Sequence, residues 1–190
     1  VTSWTVIYDA SVLYPAPLRD FLMWLALTNL FRARWTDEIH DEWIRNVLKN
    51  RPDLTLAQLN RTKNLMNINV HNCLVTNYAS LIPRLKLPDP NDRHVLAAAI
   101  QTQADFIVTF NLKDFPDSVL DLYEIEAIHP DEFIIELIER DSKTVAQAAE
   151  KQRSTLKNPP LTRDRYLEIL KQQGLPKTVN LLTDLLEAEI

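Results

Sequence analysis

Hydrophobic and polar positions along this 190-residue chain change period several times, and each change marks an element. Trp4 to Tyr8 is a run of β-formers that closes at Asp9, which predicts a first strand. Asp9-Ala10-Ser11 turns the chain, and Pro15 and Pro17 keep the loop irregular because each lacks a backbone donor. A helix is expected from Pro17 or Leu18 to about Arg34, with a centre that is apolar nearly all round, as for a helix covered on several sides. Thr36 reads as an N-cap with Asp37 and Glu38 in the first turn. In the helix it opens, Ile39, Trp43 and Val47 recur at i, i+4, and Glu42 adjoins that stripe. A third helix is expected from Thr55 or Leu56 to about Asn69. Leu74 to Tyr78 reads as a short strand, and Ala79 to Leu87 as a short helix or loop.

The stretch from Pro88 to Pro116 organises the rest. Asp89-Pro90-Asn91-Asp92 is a turn cluster that can start a helix, since Asp and Asn side chains accept from free backbone N–H groups. An alanine-rich apolar run, Val95 to Ile100, follows, and then Phe106 to Thr109 reads as a buried strand. Asn111, Asp114 and Asp117 crowd the turn after it. A turn of helix over Ser118 to Tyr123, an edge strand over Ile125 to Ile128 and a helix from Pro130 to about Arg140 complete the unit. Residues 141–158 are polar and helix-prone. Arg163 to Gln173 and Lys177 to Glu189 are amphipathic helices separated by Gly174 and Pro176. The alternation argues for a parallel α/β sheet with helices on both faces, residues 1–140, followed by a helical extension, residues 141–190.

Composition narrows the chemistry. Gly174 is the single glycine, against an average of about 7%. A P-loop or dinucleotide fingerprint needs several, so neither is present. The single cysteine, Cys73, excludes an intramolecular disulfide and a cysteine metal site, and reads as a buried apolar residue in a cytoplasmic protein. VTSWTVIYD has no signal-peptide character, and Phe21 to Leu27 is too short to span a bilayer. The net charge of −5 divides into +3 for residues 1–88, with ten basic and seven acidic side chains, and −8 for residues 89–190, with eleven and nineteen. Nucleic acid is attracted by local patches, so the total excludes nothing.

Acids stand where loops meet regular elements: Asp9 after the first strand, Glu42 on a helix, Asp92 at a helix start and Asp114 after another strand. Clustered carboxylates suit hard divalent cations such as Mg²⁺ and Mn²⁺, which can activate water and neutralise phosphate. Each acid is about as well explained as a cap or surface residue, Asp92 above all. His40, His71, His94 and His129 share no ligand spacing and read as structural or surface residues, with His94 distinguished by lying two positions from Asp92. Arg19, Arg32, Arg34, Arg45, Lys49 and Arg51 form either a basic rim for RNA or ordinary exposed positions. Trp4, Trp24 and Trp43 sit in apolar patterns and read as core.

On VIYDASVL, TDEIHDEWIRNVL and PDPNDRHVLAAAIQTQADFIVTFNLKDFP, the chain over residues 4–138 resembles the PIN-domain family. That family contains metal-dependent ribonucleases and the toxins of VapBC-type pairs, and the resemblance is to a subgroup with a longer C-terminal tail. It implies a three-layer α/β/α fold with a parallel sheet, an acidic pocket for Mg²⁺ or Mn²⁺, an RNA substrate and a cognate antitoxin. Asp9, Glu42 and Asp92 match the family's acids, while Ser11 and Thr109 match small polar positions beside them. At Asn111 the family usually has a fourth aspartate, and Asp114 is the substitute expected here. The expected function is a metal-dependent endoribonuclease toxin. The alternative is a weak or inactive module that binds RNA or protein. A phosphatase built on Asp9 is disfavoured, because Ser11 stands where its general acid would be. The stripe Leu181, Leu182, Leu185, Leu186 needs an apolar partner, and a homodimer is expected.

Overall fold

The fold is given by a computed structural model that describes residues 3–188, of Ala188 the backbone alone. Val1 and Thr2 of the leader reading, and Glu189 of the last helix, lie outside the described residues. Strands β1 (Trp4–Tyr8), β2 (Phe31–Arg34), β3 (Phe106–Val108) and β4 (Glu126–Ile128) form one parallel sheet in the order β2-β1-β3-β4. Val6, Ile7 and Tyr8 of β1 and Ile107 and Val108 of β3 are fully buried, the usual condition of central strands covered on both faces.

Helices α1 (Ala10–Leu13), α2 (Ala16–Ala26), α3 (Asp37–Asn50), α4 (Leu56–Asn69), α5 (Arg93–Gln101), α6 (Asp117–Leu120), α7 (Pro130–Thr155), α8 (Arg163–Gln172) and α9 (Pro176–Ala188) surround the sheet. The Tyr8 hydroxyl donates to the Leu22 carbonyl of α2 at 3.1 Å. Phe31 meets Phe133 of α7 edge-to-face, with ring centroids 5.1 Å apart. These contacts set α2 and α7 on the sheet, while α5 packs along β1 and β3. The layers make the expected α/β/α fold. No helix among the described residues is long and apolar enough to cross a membrane.

Four expectations need correction. The loop after Asp9 contains the short helix α1. The helix expected to reach Arg34 ends at Ala26, and Asn29 turns the chain with φ 62° before Phe31–Arg34 enters the sheet as β2. Phe31 and Ala33 are buried and Arg32 is exposed, a period of two concealed at the end of an apolar run. Leu74–Tyr78 is not a strand. Only Leu74 bridges, to Trp35, and the backbone of Trp35 exchanges hydrogen bonds with Cys73 at 2.9 Å and Val75 at 2.8 Å. The helix from Pro130 does not stop near Arg140. It breaks at Asp141 (φ −156°, ψ 81°) and continues to Thr155. Asp141 restarts it as a cap, accepting from the Thr144 N–H at 3.0 Å and hydroxyl at 2.7 Å.

The C-terminal helices share the core of the sheet unit, which runs without interruption from Val6 to Leu186. Leu182 and Leu186 are buried and Leu185 is partly buried, so most of the leucine stripe is covered within this chain; Leu181 stays 37% exposed. Two polar links fasten the layer. Buried Asp131 accepts from the N–H of Thr178 at 2.8 Å and of Lys177 at 3.0 Å, at the start of α9. Buried Gln152 donates to the Pro17 carbonyl at 3.1 Å and to Asp20 at 3.0 Å, and accepts from the Tyr166 hydroxyl at 2.7 Å.

Candidate active site

Parallel strands deliver their C-terminal ends to one edge, where ligands of open α/β sheets bind. Asp9 follows β1 at that edge and caps α1. It is buried, and its donors converge on Oδ2: the Ser11 hydroxyl at 2.6 Å, the Thr109 hydroxyl at 2.9 Å and the Ser11 N–H at 3.4 Å. Ser11 Oγ in turn accepts from the Phe110 N–H at 3.2 Å, and Thr109 Oγ1 from the Asn111 N–H at 3.0 Å. The ends of β1 and β3 are thereby tied through one carboxylate oxygen. Burial pushes the Asp9 pKa above the usual carboxylate range, the Ser11 and Thr109 hydrogen bonds pull against it, and Glu42 adds to the rise.

Asp92 is the residue before α5, yet its side chain makes no capping hydrogen bond. Asp89 does the local capping, accepting from the Asn91 N–H at 2.8 Å. The cap explanation therefore fails for Asp92. Its pKa is pushed up to about 7, first by burial and then by the charges of Asp9, Asp89, Glu42 and Asp114. Asp89, which the sequence placed only in a turn, belongs to this acidic neighbourhood; its signal was its place in the same four-residue cluster. Glu42 is half-buried on α3, with Oε2 3.4 Å from Nε2 of His94. Burial lowers the His94 pKa, but Glu42, Glu38 and Asp9 outweigh it and the ring sits above its ordinary value.

Asp114 ends a 3₁₀ turn, Leu112–Asp114, whose first carbonyl partner is Asn111 and whose anchor is the buried ring of Phe115. It does not cap α6; Pro116 holds that position without a side-chain bond. Asn111 itself is exposed. Asp92 thus feels Asp9, Glu42 and Asp114, and Asp9 feels Glu42. Among the described residues, no three His, Cys, Asp or Glu side chains stand close enough to form a ready metal cage. The donor set is all oxygen, the kind that fits a hard divalent ion.

The remaining candidates separate cleanly. His40 is buried, with Nε2 2.9 Å from Asn67 Oδ1 and Nδ1 accepting from Trp43 Nε1 at 3.0 Å, and burial lowers its pKa. His129 caps α7 through the Asp131 N–H at 3.1 Å, and His71 is exposed. Arg19 lies 4.5 Å above the Trp43 ring and donates to the Leu13 carbonyl at 2.7 Å, and burial lowers its pKa to about 10. Arg34 is bound to the Asn72 carbonyl, and Arg51 pairs with Asp53 at 2.6 Å. Arg32, Arg45 and Lys49 are exposed and make no ion pair among the described residues. Arg45 and Lys49 follow Glu42 by three and seven positions and share its face of α3. Trp43 is core, while Trp4 and Trp24 pack against the core from its edge.

A family model described as PIN domain matches residues 5–113, more than half of the chain. The chain belongs to the PIN-domain family. A second model, described as VapC50 C-terminal domain, matches residues 130–184 of this PIN-domain chain. The chain is also similar to the Mycobacterium tuberculosis protein named "Putative ribonuclease VapC50", with 39% identity over 82 residues. That segment is 43% of this chain and 48% of the relative, so the match spans about half the relative's length. No solved structure matches the chain.

Proposed function

We propose that this PIN-domain chain is a divalent-metal-dependent endoribonuclease and the toxin of a toxin–antitoxin pair, with Asp9, Glu42, Asp92 and Asp114 holding Mg²⁺ or Mn²⁺. The observation that carries the reading is Asp92, half-buried before α5 with no capping hydrogen bond, and with Asp9, Asp89, Glu42 and Asp114 near enough to raise its pKa. A bound divalent ion supplies a water of lowered pKa and neutralises charge on the scissile phosphate. Ser11 and Thr109 fix one oxygen of Asp9 and so aim the other. Asn111 offers a neutral carbonyl oxygen, and Asp114 restores the charge that Asn111 lacks. Arg45 and Lys49, on the Glu42 face, give RNA phosphates a positive approach. The relative's name carries the word ribonuclease, and the match to it supports the same activity here.

Residues 141–190 are the second unit of this reading, whose helices up to Ala188 form a layer fused to the nuclease core, and the partner is an antitoxin protein in the cytoplasm. Pairing of two copies draws no support from the leucine stripe, most of which the chain covers itself. The alternative, an inactive RNA- or protein-binding module, is motivated by Asn111. Labelled RNA incubated with purified protein and Mn²⁺ distinguishes the two. Cleavage that is lost with EDTA and in Asp9→Asn supports the enzyme, and binding without cleavage at any metal concentration supports the module.

A further inference from the structure

His94 is buried, 9% exposed, on a helix whose neighbouring positions, Val95 to Ala99, are fully buried apolar residues. Its Nδ1 atom has no hydrogen-bond partner among the described residues. Buried polar atoms are nearly always partnered, and an orphan of this kind destabilises the fold. His40 shows the ordinary arrangement in the same protein, with Asn67 and Trp43 at its two nitrogens. An apolar side chain at position 94 would leave no orphan. The other ring nitrogen, Nε2, faces Glu42 Oε2 at 3.4 Å. Glu42 has no need of that contact for solvation, because its side chain is 30% exposed and water reaches it. A glutamate on a helix surface samples many rotamers, and the charges of Asp9 and Asp92 drive it away from them.

We infer that His94 is a positioning residue: its Nε2–H holds the Glu42 carboxylate beside Asp9 and Asp92, and the orphaned Nδ1 is what that placement costs the fold. This rests on Glu42 acting as a metal ligand. Groups that orient a metal-binding side chain in this way typically contribute about 10–100-fold to metal affinity.

Isothermal titration with Mn²⁺, paired with thermal unfolding in EDTA, tests it on the full chain. His94→Leu is expected to weaken Mn²⁺ binding by about 10–100-fold while leaving the unfolding temperature unchanged or higher. His94→Gln, which keeps a donor, recovers most of the affinity. In a Glu42→Gln background, His94→Leu produces no further loss, because two residues that act through one contact are not additive. A His94→Leu protein that melts lower yet binds Mn²⁺ normally when folded overturns the proposal. So does a loss of equal size in the Glu42→Gln background. Wild-type affinity in Glu42→Gln alone is a different result: it removes Glu42 from the metal site, and the proposal with it.

Discussion

Asp9 and Asp131 are both buried carboxylates, 3% and 4% exposed, and they are treated in opposite ways. Asp131 has a backbone N–H on each oxygen, from Thr178 and Lys177 at the start of α9, where the helix dipole also favours an anion. Asp9 has its donors on one oxygen only, and its further neighbours are acids. The helical layer uses a buried charge to hold two elements together. The sheet edge gathers acids that repel one another, and the donors it gives Asp9 reach a single oxygen. In the function proposed above, a divalent cation would complete this arrangement.

The largest expected effect comes from removing the partnered region altogether. A chain ending after Arg140 loses the second half of α7 together with α8 and α9, and strips Asp131 of both donors. It should show no cooperative unfolding transition by circular dichroism. A folded monomer of that length would mean that the two regions are separable and the comparison is one of independent units.

Next come the site acids. Asp9→Asn and Asp92→Asn should each lower Mn²⁺-dependent cleavage by more than about 100-fold, beyond the range of outer-shell losses. The Asp92→Asn protein should melt no lower than wild type in EDTA, because a repelling charge has been removed. Added Mn²⁺ should raise the melting temperature of wild type far more than that of the variant. A variant that melts lower in EDTA would show that Asp92 is a structural acid like Asp131. That residue should behave in reverse. Asp131→Ala should destabilise the fold by about 1–3 kcal/mol, since backbone donors lose a charged partner, while folded protein keeps its cleavage rate. At about 2–4 °C per kcal/mol for a chain of this size, a melting curve resolves the change.

His40 extends the comparison to pH. Its folded pKa is lowered by burial, so the neutral ring is the one the fold accommodates. The stability this provides is fully present above the ordinary histidine value of about 6.5 and is lost as pH falls through the lower folded value. Denaturant midpoints should therefore decline on acidification through that window, and the decline should shrink in His40→Gln. An identical acid slope in the variant would assign the effect elsewhere. The smallest effects lie at the turn after β3. Asp114→Ala should lower Mn²⁺ affinity, and Asn111→Asp should leave cleavage unchanged or raise it. Unchanged Mn²⁺ affinity in Asp114→Ala would leave Asp9, Glu42 and Asp92 to hold the metal alone.

Elements with local signals were legible in the sequence. Thr36 marks the start of α3 because a hydroxyl beside the first turn accepts a free backbone N–H, and the cap is present in the structure, to the N–H of Ile39; the structure shows Thr55 capping α4 in the same way, to the N–H of Gln58. β1 and β3 stood out as short β-branched or aromatic runs between turn residues, and the acids after them pointed to the sheet edge. Signals that depend on distant partners were not legible. Phe31–Arg34 continues an apolar helix pattern in sequence, and only its pairing with β1 makes it a strand. The helix breaks at Asp141 yet resumes at once, because the Asp141 carboxylate caps the next turn. Whether a carboxylate is a clamp or a site is likewise decided by tertiary structure alone. Asp131 follows a proline at a helix start and Asp92 precedes a helix, a local difference too small to show that one meets the N–H groups of α9 and the other meets four acids. Charge and hydrogen-bond type belong to the residue, but the field around it is made by chain that lies tens of positions away, and only folding brings that chain near.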